Sequence, residues 1–305
     1  MKKALILVAL LLVLFIGEML MFENDAKDKE ANPYIAVTNF AIYEIINTIA
    51  GNHIEVKKLV PFGVETHTYI PSVKTIAELS RAELFVFNGL GMEPWINKEY
   101  PNQMNMSKFV KLRSGGEEEE HEGHEGHDHG DEDADPHYWL DIENMILMTR
   151  VLTKELSKHF PQHEQEFENN SKSYINALTT LGLEYSNGLK NCARREIVVN
   201  HNAFAYLGER YGFDSHSITG LSPDEQASAK KMKEITDLLS QEKFNTIFFE
   251  SFVSPKLAQT IAKETGVKVE SLQPLANVTQ EEAKKGYIAL MRENLRKLSA
   301  VMECE

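Results

Sequence analysis

The strongest constraint on the fold is an alternation of short strand patterns and helical patterns that occurs twice along the chain. Apolar, β-branched or aromatic runs such as Tyr34–Asn39, Ile54–Val60 and Leu84–Asn88 alternate with helical stretches such as Phe40–Ala50. The alternation resumes at Glu196–Asn200 and continues to the end of the chain. This pattern is typical of βαβ units around parallel sheets. The sequence therefore predicts an α/β fold.

A long helical segment separates the two alternations. Glu164–Leu189 contains no proline, and its apolar residues recur at spacings of three and four, which indicates one face of a helix. Those residues are Tyr174, Leu178, Leu181 and Tyr185. We expect two parallel-sheet α/β lobes joined by one long rigid helix. An ordinary surface helix is the alternative.

The remaining elements complete this pattern. Ser222-Pro223-Asp224-Glu225 has the residues of a helix N-terminus, because Ser caps, Pro suits the first turn and Glu follows three residues on. We predict a helix from there to about Gln241. The other predicted strands are Lys108–Leu112, Asp214–Thr219, Phe244–Glu250 and Val267–Ser271, and the other predicted helices are Ser72–Ser80, Asp141–His159, Asn202–Tyr211, Pro255–Thr265 and Thr279–Met302.

These patterns divide the chain into five parts. We expect a signal or anchor segment at 1–22, a charged tether at 23–32, an N-terminal α/β lobe at 33–160, a connecting helix at 161–191 and a C-terminal α/β lobe at 192–305. Lys2 and Lys3 precede the largely apolar stretch Ala4–Phe22, as in a secretory signal. No clear cleavage site follows, and the segment is long enough to remain as an uncleaved membrane anchor. Either way, we expect the protein in the periplasm or on the extracytoplasmic face of the cytoplasmic membrane.

An acidic, histidine-rich loop at 117–135 carries most of the negative charge. The net charge of the chain is −14, and this loop contains eleven Asp or Glu residues and no Lys or Arg. The rest of the chain is nearly neutral, which gives no support to nucleic-acid binding. The four histidines interleaved in the acidic loop predict an auxiliary metal site of low affinity. They are His121, His124, His127 and His129. The alternative is a loop that only increases solubility.

Three other histidines follow predicted strands. His201 comes directly after Glu196–Asn200, His67 lies in the loop after Ile54–Val60, and His137 lies in the loop after Lys108–Leu112. Ligands of open α/β sheets bind beyond the carboxyl ends of strands, and imidazole is a common zinc ligand. If the two sheets face one cleft, the sequence predicts a metal site there. Each histidine taken alone is as easily a surface or capping residue.

Several neighbours extend this hypothesis. Asp135 and Asp141 flank His137, and a carboxylate commonly orients a metal-bound imidazole. The two cysteines, Cys192 and Cys304, can form a disulfide outside the cytoplasm, although two free thiols are nearly as compatible with the sequence.

The motifs around these residues resemble the metal-binding, extracytoplasmic solute-binding proteins of ABC importers, and specifically the zinc-binding ZnuA type. The resemblance covers about Pro33 to the C-terminus. It is carried, in order, by His67-x-Tyr-x-Pro, Asp135-Pro136-His137-Tyr138-Trp139-Leu140-Asp141, Asn200-His201-Asn202-Ala203-Phe204, Leu221-Ser222-Pro223-Asp224 and Phe248-Phe249-Glu250-Ser251. An acid–His loop before the second ligand is characteristic of the zinc branch.

The resemblance implies two α/β lobes with a metal in the cleft between them, held by His67, His137 and His201. The manganese branch usually has Glu at the third position, so His201 favours zinc, and imidazole suits zinc better than manganese. The family commonly has Asp where this chain has Gln273. The fourth position is therefore open to water, Glu65 or a loop residue, with Gln273 nearby.

The expected function is capture of Zn²⁺ as transported ligand, and its delivery to a membrane permease powered by a cytoplasmic ATPase. We expect a monomer without catalytic activity. Three alternatives stay open at this point: an extracytoplasmic zinc hydrolase, a surface adhesin or metal buffer, and a carrier of Mn²⁺. Against the hydrolase, the sequence has no His-Glu-x-x-His motif.

Overall fold

The N-terminal half forms a four-stranded parallel sheet in the spatial order β2-β1-β3-β4. The computed structural model describes residues 33–113, 134–240, 244–252 and 256–305. The strands are Tyr34–Val37 (β1), Glu55–Lys58 (β2), Leu84–Phe87 (β3) and Gln103–Asn105 (β4). β1 and β3 occupy the centre and are wholly apolar and buried, as expected for parallel strands that are covered on both faces.

Three helices accompany this sheet: Phe40–Ala50 (α1), Val73–Glu78 (α2) and Ile142–His159 (α3). α1 has the bounds that the sequence predicts. The Asn39 side chain accepts a hydrogen bond from Ile42 N at its start, and Gly51 adopts a positive φ of 57° at its end.

The long helix is Glu164–Gly188 (α4), which at 1.5 Å per residue is about 37 Å long. Its buried face consists of Phe167, Ser171, Tyr174, Leu178, Leu181 and Tyr185. It packs against α1 and α3 and also against the C-terminal helix. Helices from both halves of the chain thus cover one face of α4, as expected for a helix that joins them, while its other residues are exposed or half-buried.

The C-terminal half contains two two-stranded parallel sheets. Glu196–Val199 (β5) pairs with Asp214–Ser217 (β6), and Thr246–Phe249 (β7) pairs with Lys268–Ser271 (β8). β5 also lies beside β7. The helices are Ala205–Tyr211 (α5), Ala229–Leu238 (α6), Lys256–Thr265 (α7), Gln280–Ala283 (α8) and Tyr287–Val301 (α9).

Three buried clusters hold these elements together. The largest contains residues of the N-terminal sheet and of α1, α3, α4, β5 and α9, so it joins the two halves. A second fills the C-terminal half around Val198, Ile247 and Ile261. A third covers the other face of the N-terminal sheet around Phe85 and Trp95. The parallel-sheet α/β class predicted from the sequence is confirmed.

The predicted strand Lys108–Leu112 is wrong. The fourth strand is β4, and the chain then makes a 3-10 turn at Met106–Phe109. β4 is a polar edge strand whose residues are only half-buried, so it lacks the apolar run that marked the other strands.

The predicted helix from Ser222 is also wrong at its start. Glu225 Oε1 does accept from Ser222 N at 2.8 Å, but this contact closes a turn and no helix continues from it. α6 begins after Ser228, whose side chain accepts from Lys231 N.

The predicted C-terminal helix Thr279–Met302 is two helices, α8 and α9. Thr279 and Glu282 form a capping box at the start of α8. Gly286, with φ 81° and ψ 162°, then breaks the helix before Tyr287, because this backbone conformation is almost exclusive to glycine.

A disulfide joins Cys192 to Cys304 across 112 residues. Backbone hydrogen bonds on both sides of it, from Ala193 N to Glu303 O and from Glu305 N to Asn191 O, pair the segment after α4 with the chain end. Within the ranges that the structure describes, no helix is both long and apolar enough to cross a membrane.

Candidate metal centre

The three histidines singled out in the sequence meet at one point. The Nε2 atom of His137 lies 3.3 Å from that of His67 and 3.1 Å from that of His201. One ring nitrogen from each of the three lies within 4.8 Å of the others, and in the described part of the chain this is the one such group of His, Cys, Asp or Glu. Tetrahedral zinc with Zn–N bonds of about 2.0–2.1 Å requires N···N separations of roughly 3.3–3.4 Å. The spacing therefore fits a zinc ion.

Each histidine comes from a loop at the carboxyl end of a strand. His67 follows β2, His201 follows β5, and His137 lies between β4 and α3. His137 and His201 are buried, at 0% and 1% exposure, whereas His67 is partly exposed. The N-terminal half thus provides two imidazoles and the C-terminal half one.

A carboxylate holds each of the two buried imidazoles. Asp135 Oδ1 lies 2.8 Å from His137 Nδ1 and also accepts from His137 N at 2.9 Å. Glu250 Oε1 makes a short hydrogen bond with His201 Nδ1. Since a carboxylate only accepts, Nδ1 carries a proton in both rings, and in the neutral rings the Nε2 lone pairs face the meeting point. This arrangement suits a cation at the meeting point.

The pKa values of the three rings differ because their surroundings differ. Burial lowers the pKa of His67 well below 6.5, and the neighbouring imidazoles lower it further. Burial also lowers the pKa of His137, although Asp135 opposes this shift. Burial alone would lower the pKa of His201, but the Glu250 carboxylate outweighs it and raises that pKa. Burial therefore favours the neutral, metal-binding form of His67 and His137, whereas Glu250 favours the protonated form of His201.

Asp141, expected beside His137, does not contact that ring. Its side chain accepts from Glu143 N at the start of α3 and pairs with Arg210 at 2.6 Å. It lies four residues along the chain from His137, and the 3-10 turn Tyr138–Leu140 between them carries it to the helix start.

The two candidates for a fourth position differ in their environment. Glu65 Oε1 accepts from His67 N at 3.0 Å, and burial raises the pKa of this carboxyl. Gln273 donates from Nε2 to Ser251 Oγ at 2.5 Å and to Glu282 Oε1 at 3.0 Å. Neither belongs to the group of three imidazoles. The auxiliary histidines His121, His124, His127 and His129 lie outside the described residues.

The sequence analysis gave no role to Glu250. A signal was present, because this acidic residue directly follows the buried apolar strand β7. Glu250 therefore lies at the carboxyl end of a strand, like the histidines. Because it is only 4% exposed, its carboxylate needs a hydrogen-bond or ion-pair partner.

Comparison with known proteins agrees with the fold. Residues 35–301 match the family ZnuA, described as zinc-uptake complex component A, periplasmic. The chain belongs to this family. The resemblance drawn from the sequence is confirmed.

Two relatives and one solved structure illustrate the match. The zinc-binding lipoprotein AdcA of Streptococcus pneumoniae is 34% identical over 318 residues, which cover 100% of this chain and 62% of AdcA. The high-affinity zinc uptake system protein ZnuA of Bacillus subtilis is 34% identical, over 90% of this chain and 88% of its own length. The crystal structure of the Zn(II)-bound ZnuA-like domain of the S. pneumoniae AdcA superposes with a TM-score of 0.73 at 32% identity, covering 90% of this chain and 100% of that domain.

Proposed function

We propose that this protein captures Zn²⁺ outside the cytoplasmic membrane and delivers it to the membrane permease of an ABC importer, which a cytoplasmic ATPase powers. The observation that carries the proposal is the convergence of three Nε2 atoms at separations of 3.1 and 3.3 Å. Without metal, such nitrogens share a proton as an N–H···N hydrogen bond or repel one another; with all three rings neutral, their lone pairs are placed to bind one cation. The names of the relatives, a zinc-binding lipoprotein and a zinc uptake protein, give the same ion.

His67, His137 and His201 are the proposed ligands, with the fourth position taken by water, Glu65 or Gln273. Asp135 and Glu250 orient two of the imidazoles and place negative charge behind them. Imidazole is a better ligand for zinc than for manganese, which prefers oxygen. The ligand set therefore favours zinc over manganese.

A competitive titration tests this proposal. We expect the metal-stripped protein to bind one Zn²⁺ tightly, to prefer it over Mn²⁺, and to lose more than about 100-fold in affinity in His201→Ala, since even residues behind the ligands contribute 10–100-fold. His216→Ala is the matched control, because His216 pairs with Glu196 at 3.0 Å and is not one of the three. Retention of tight zinc in His201→Ala, or equal affinity for manganese, would contradict the proposal.

We further propose that His121, His124, His127 and His129 gather zinc weakly near the cleft, which raises its local concentration. Replacing all four by Gln is expected to remove weak sites from the titration and to leave the single tight site unchanged. Loss of the tight site instead would place it in this loop.

A further inference from the structure

His67 is the least constrained of the three imidazoles. His137 and His201 are each held by a carboxylate at Nδ1, whereas no carboxylate among the described residues holds the ring of His67. His67 is also the most exposed of the three. Its position therefore depends on the backbone of the loop that carries it, which runs from the end of β2 to the start of α2.

The base of this loop is bonded to a distant part of the chain. Asn277, which follows β8, donates from Nδ2 to Pro61 O at 2.6 Å and to Val64 O at 2.7 Å. Its Oδ1 accepts from Lys58 Nζ at 2.6 Å and from Val278 N at 2.9 Å. All the hydrogen-bonding capacity of the amide is thus used, and the residue is only 3% exposed.

Neighbouring bonds reinforce the same connection. Gly63 N donates to Val278 O at 2.9 Å, and Lys58 Nζ also donates to Val60 O at 2.5 Å. Lys58 Nζ lies 4.9 Å from the centre of the Phe62 ring. These contacts therefore hold the segment from Lys58 to Val64 against Asn277 and Val278. The last residue held in this way, Val64, is only three residues before His67.

We propose that Asn277 is a positioning residue for His67, and that its two N–H donors set how fast bound zinc dissociates. The inference rests on the proposed function. Because the amide fixes Pro61 and Val64, it limits the positions that His67 can reach while His137 and His201 stay in place. Loss of the two donors lets His67 leave the metal more often, and the other two imidazoles alone hold zinc weakly.

Asn277→Asp tests this with little change of shape. The aspartate keeps the acceptor oxygen for Lys58 and Val278 N, and gains an ion pair with Lys58, but it cannot donate to Pro61 or Val64. We expect zinc to dissociate about 10–100-fold faster, the range typical of residues that orient metal ligands. The added negative charge attracts the cation and would by itself slow zinc dissociation. Faster dissociation would therefore come from the lost donors and not from the charge.

Asn170→Asp is the matched control. Asn170 Nδ2 donates to Ile49 O at 3.1 Å, so the substitution removes the same kind of bond and adds the same charge away from the histidines. We expect its zinc dissociation rate to match that of the unmodified protein. The thermal midpoints of the metal-free variants report on a purely structural effect. The inference is wrong if zinc dissociates from Asn277→Asp at a rate within about twofold of that of the Asn170→Asp control. It is also wrong if both variants show a lower thermal midpoint together with the same increase in dissociation rate.

A double-mutant cycle separates this inference from the proposed function. If Asn277 acts through His67, Asn277→Asp has no further effect on zinc in the His67→Ala background, because the two substitutions remove one interaction. Additive effects would overturn the inference while leaving the metal site intact. If His67→Ala itself leaves zinc binding unchanged, the proposed ligand set fails. Visible absorption of bound Co²⁺, which depends on the number of ligands, provides a second measure of His67 occupancy in each variant.

Discussion

The pairing of His201 with Glu250 is expected to make metal affinity at the proposed site depend on pH. The Glu250 carboxylate raises the pKa of His201 above its ordinary value, and only the neutral imidazole binds a metal. As pH falls, a proton therefore competes with zinc at this ring. At His137, whose pKa is lowered by burial, this competition begins at lower pH than at His201.

Glu250→Gln is expected to separate two effects of this carboxylate. Without its charge, the pKa of His201 falls, so the loss of zinc affinity on acidification moves to lower pH. At pH 8 the affinity falls about 10–100-fold, because the ring loses its charged hydrogen-bond partner. Zinc titrations between pH 5.5 and 8 measure both. An unchanged pH profile would show that Glu250 does not control the protonation of His201.

Lys58 gives a second dependence on pH, this time of stability. Burial lowers its pKa from 10.5 to about 7, so between these values the unfolded chain binds the proton and the folded chain does not. The free energy of unfolding then rises with pH over this window, by up to about 1.4 kcal/mol per unit, and the dependence vanishes below pH 7.

Lys58→Met is expected to remove this contribution. Urea unfolding at several values between pH 7 and pH 9.5 should give a smaller increase in stability with pH for the variant than for the unmodified protein. Equal slopes for the two proteins would mean that Lys58 keeps an ordinary pKa in the folded state.

At the scale of single elements, Gly286 decides where the C-terminal helix begins. Its φ of 81° is unfavourable for any other residue, and an added Cβ would lie 2.7 Å from Glu44 Oε1. That same oxygen accepts from Tyr287 N at 3.1 Å, at the first turn of α9. A side chain at this position therefore disturbs both the backbone and the contact between α1 and α9.

Gly286→Ala is expected to lower the free energy of unfolding by about 1–3 kcal/mol, from backbone strain and the close contact together. Gly91→Ala is the control, because Gly91 also has a positive φ, 74°, but its added Cβ meets nothing within 4 Å. Urea unfolding of both variants tests the difference. Equal losses of unfolding free energy in the two variants would mean that backbone strain alone accounts for the effect of Gly286→Ala.

At the scale of the whole molecule, the disulfide ties the start of the C-terminal half to the chain end. The Cys192–Cys304 bond closes a segment of 112 residues, and disulfides typically stabilise a fold by about 2–4 kcal/mol. Cys192 lies nine residues before His201, with β5 between them, but no hydrogen bond described for the three histidines involves either cysteine. We therefore expect the bond to act mainly on stability.

Removing it in a Cys192→Ser/Cys304→Ser double variant is expected to lower the thermal midpoint and to leave zinc affinity within about twofold. Thermal unfolding with and without zinc, compared with the unmodified protein under reductant, checks both. A loss of zinc binding at a temperature where the variant is folded would show that the cross-link also shapes the cleft.

How much the sequence predicts depends on how local each feature is. α1 and α4 were predicted nearly to the residue, because their periodicity and end residues are local. β4 was missed because a polar edge strand of three residues has no pattern of its own. The start of α6 was misplaced because Ser222 and Glu225 make the same contact in a turn as in a helix.

The sequence by itself determined the α/β class, the long helix and the three histidines, since these follow from periodicity and from residues at strand ends. Only the tertiary structure decided their partners. Glu250 holds His201 from 49 residues away, and Asn277 holds Pro61 from 216 residues away. Such contacts form when packing of the largest core brings the two halves together, and a contact between distant residues leaves no periodic trace in the chain.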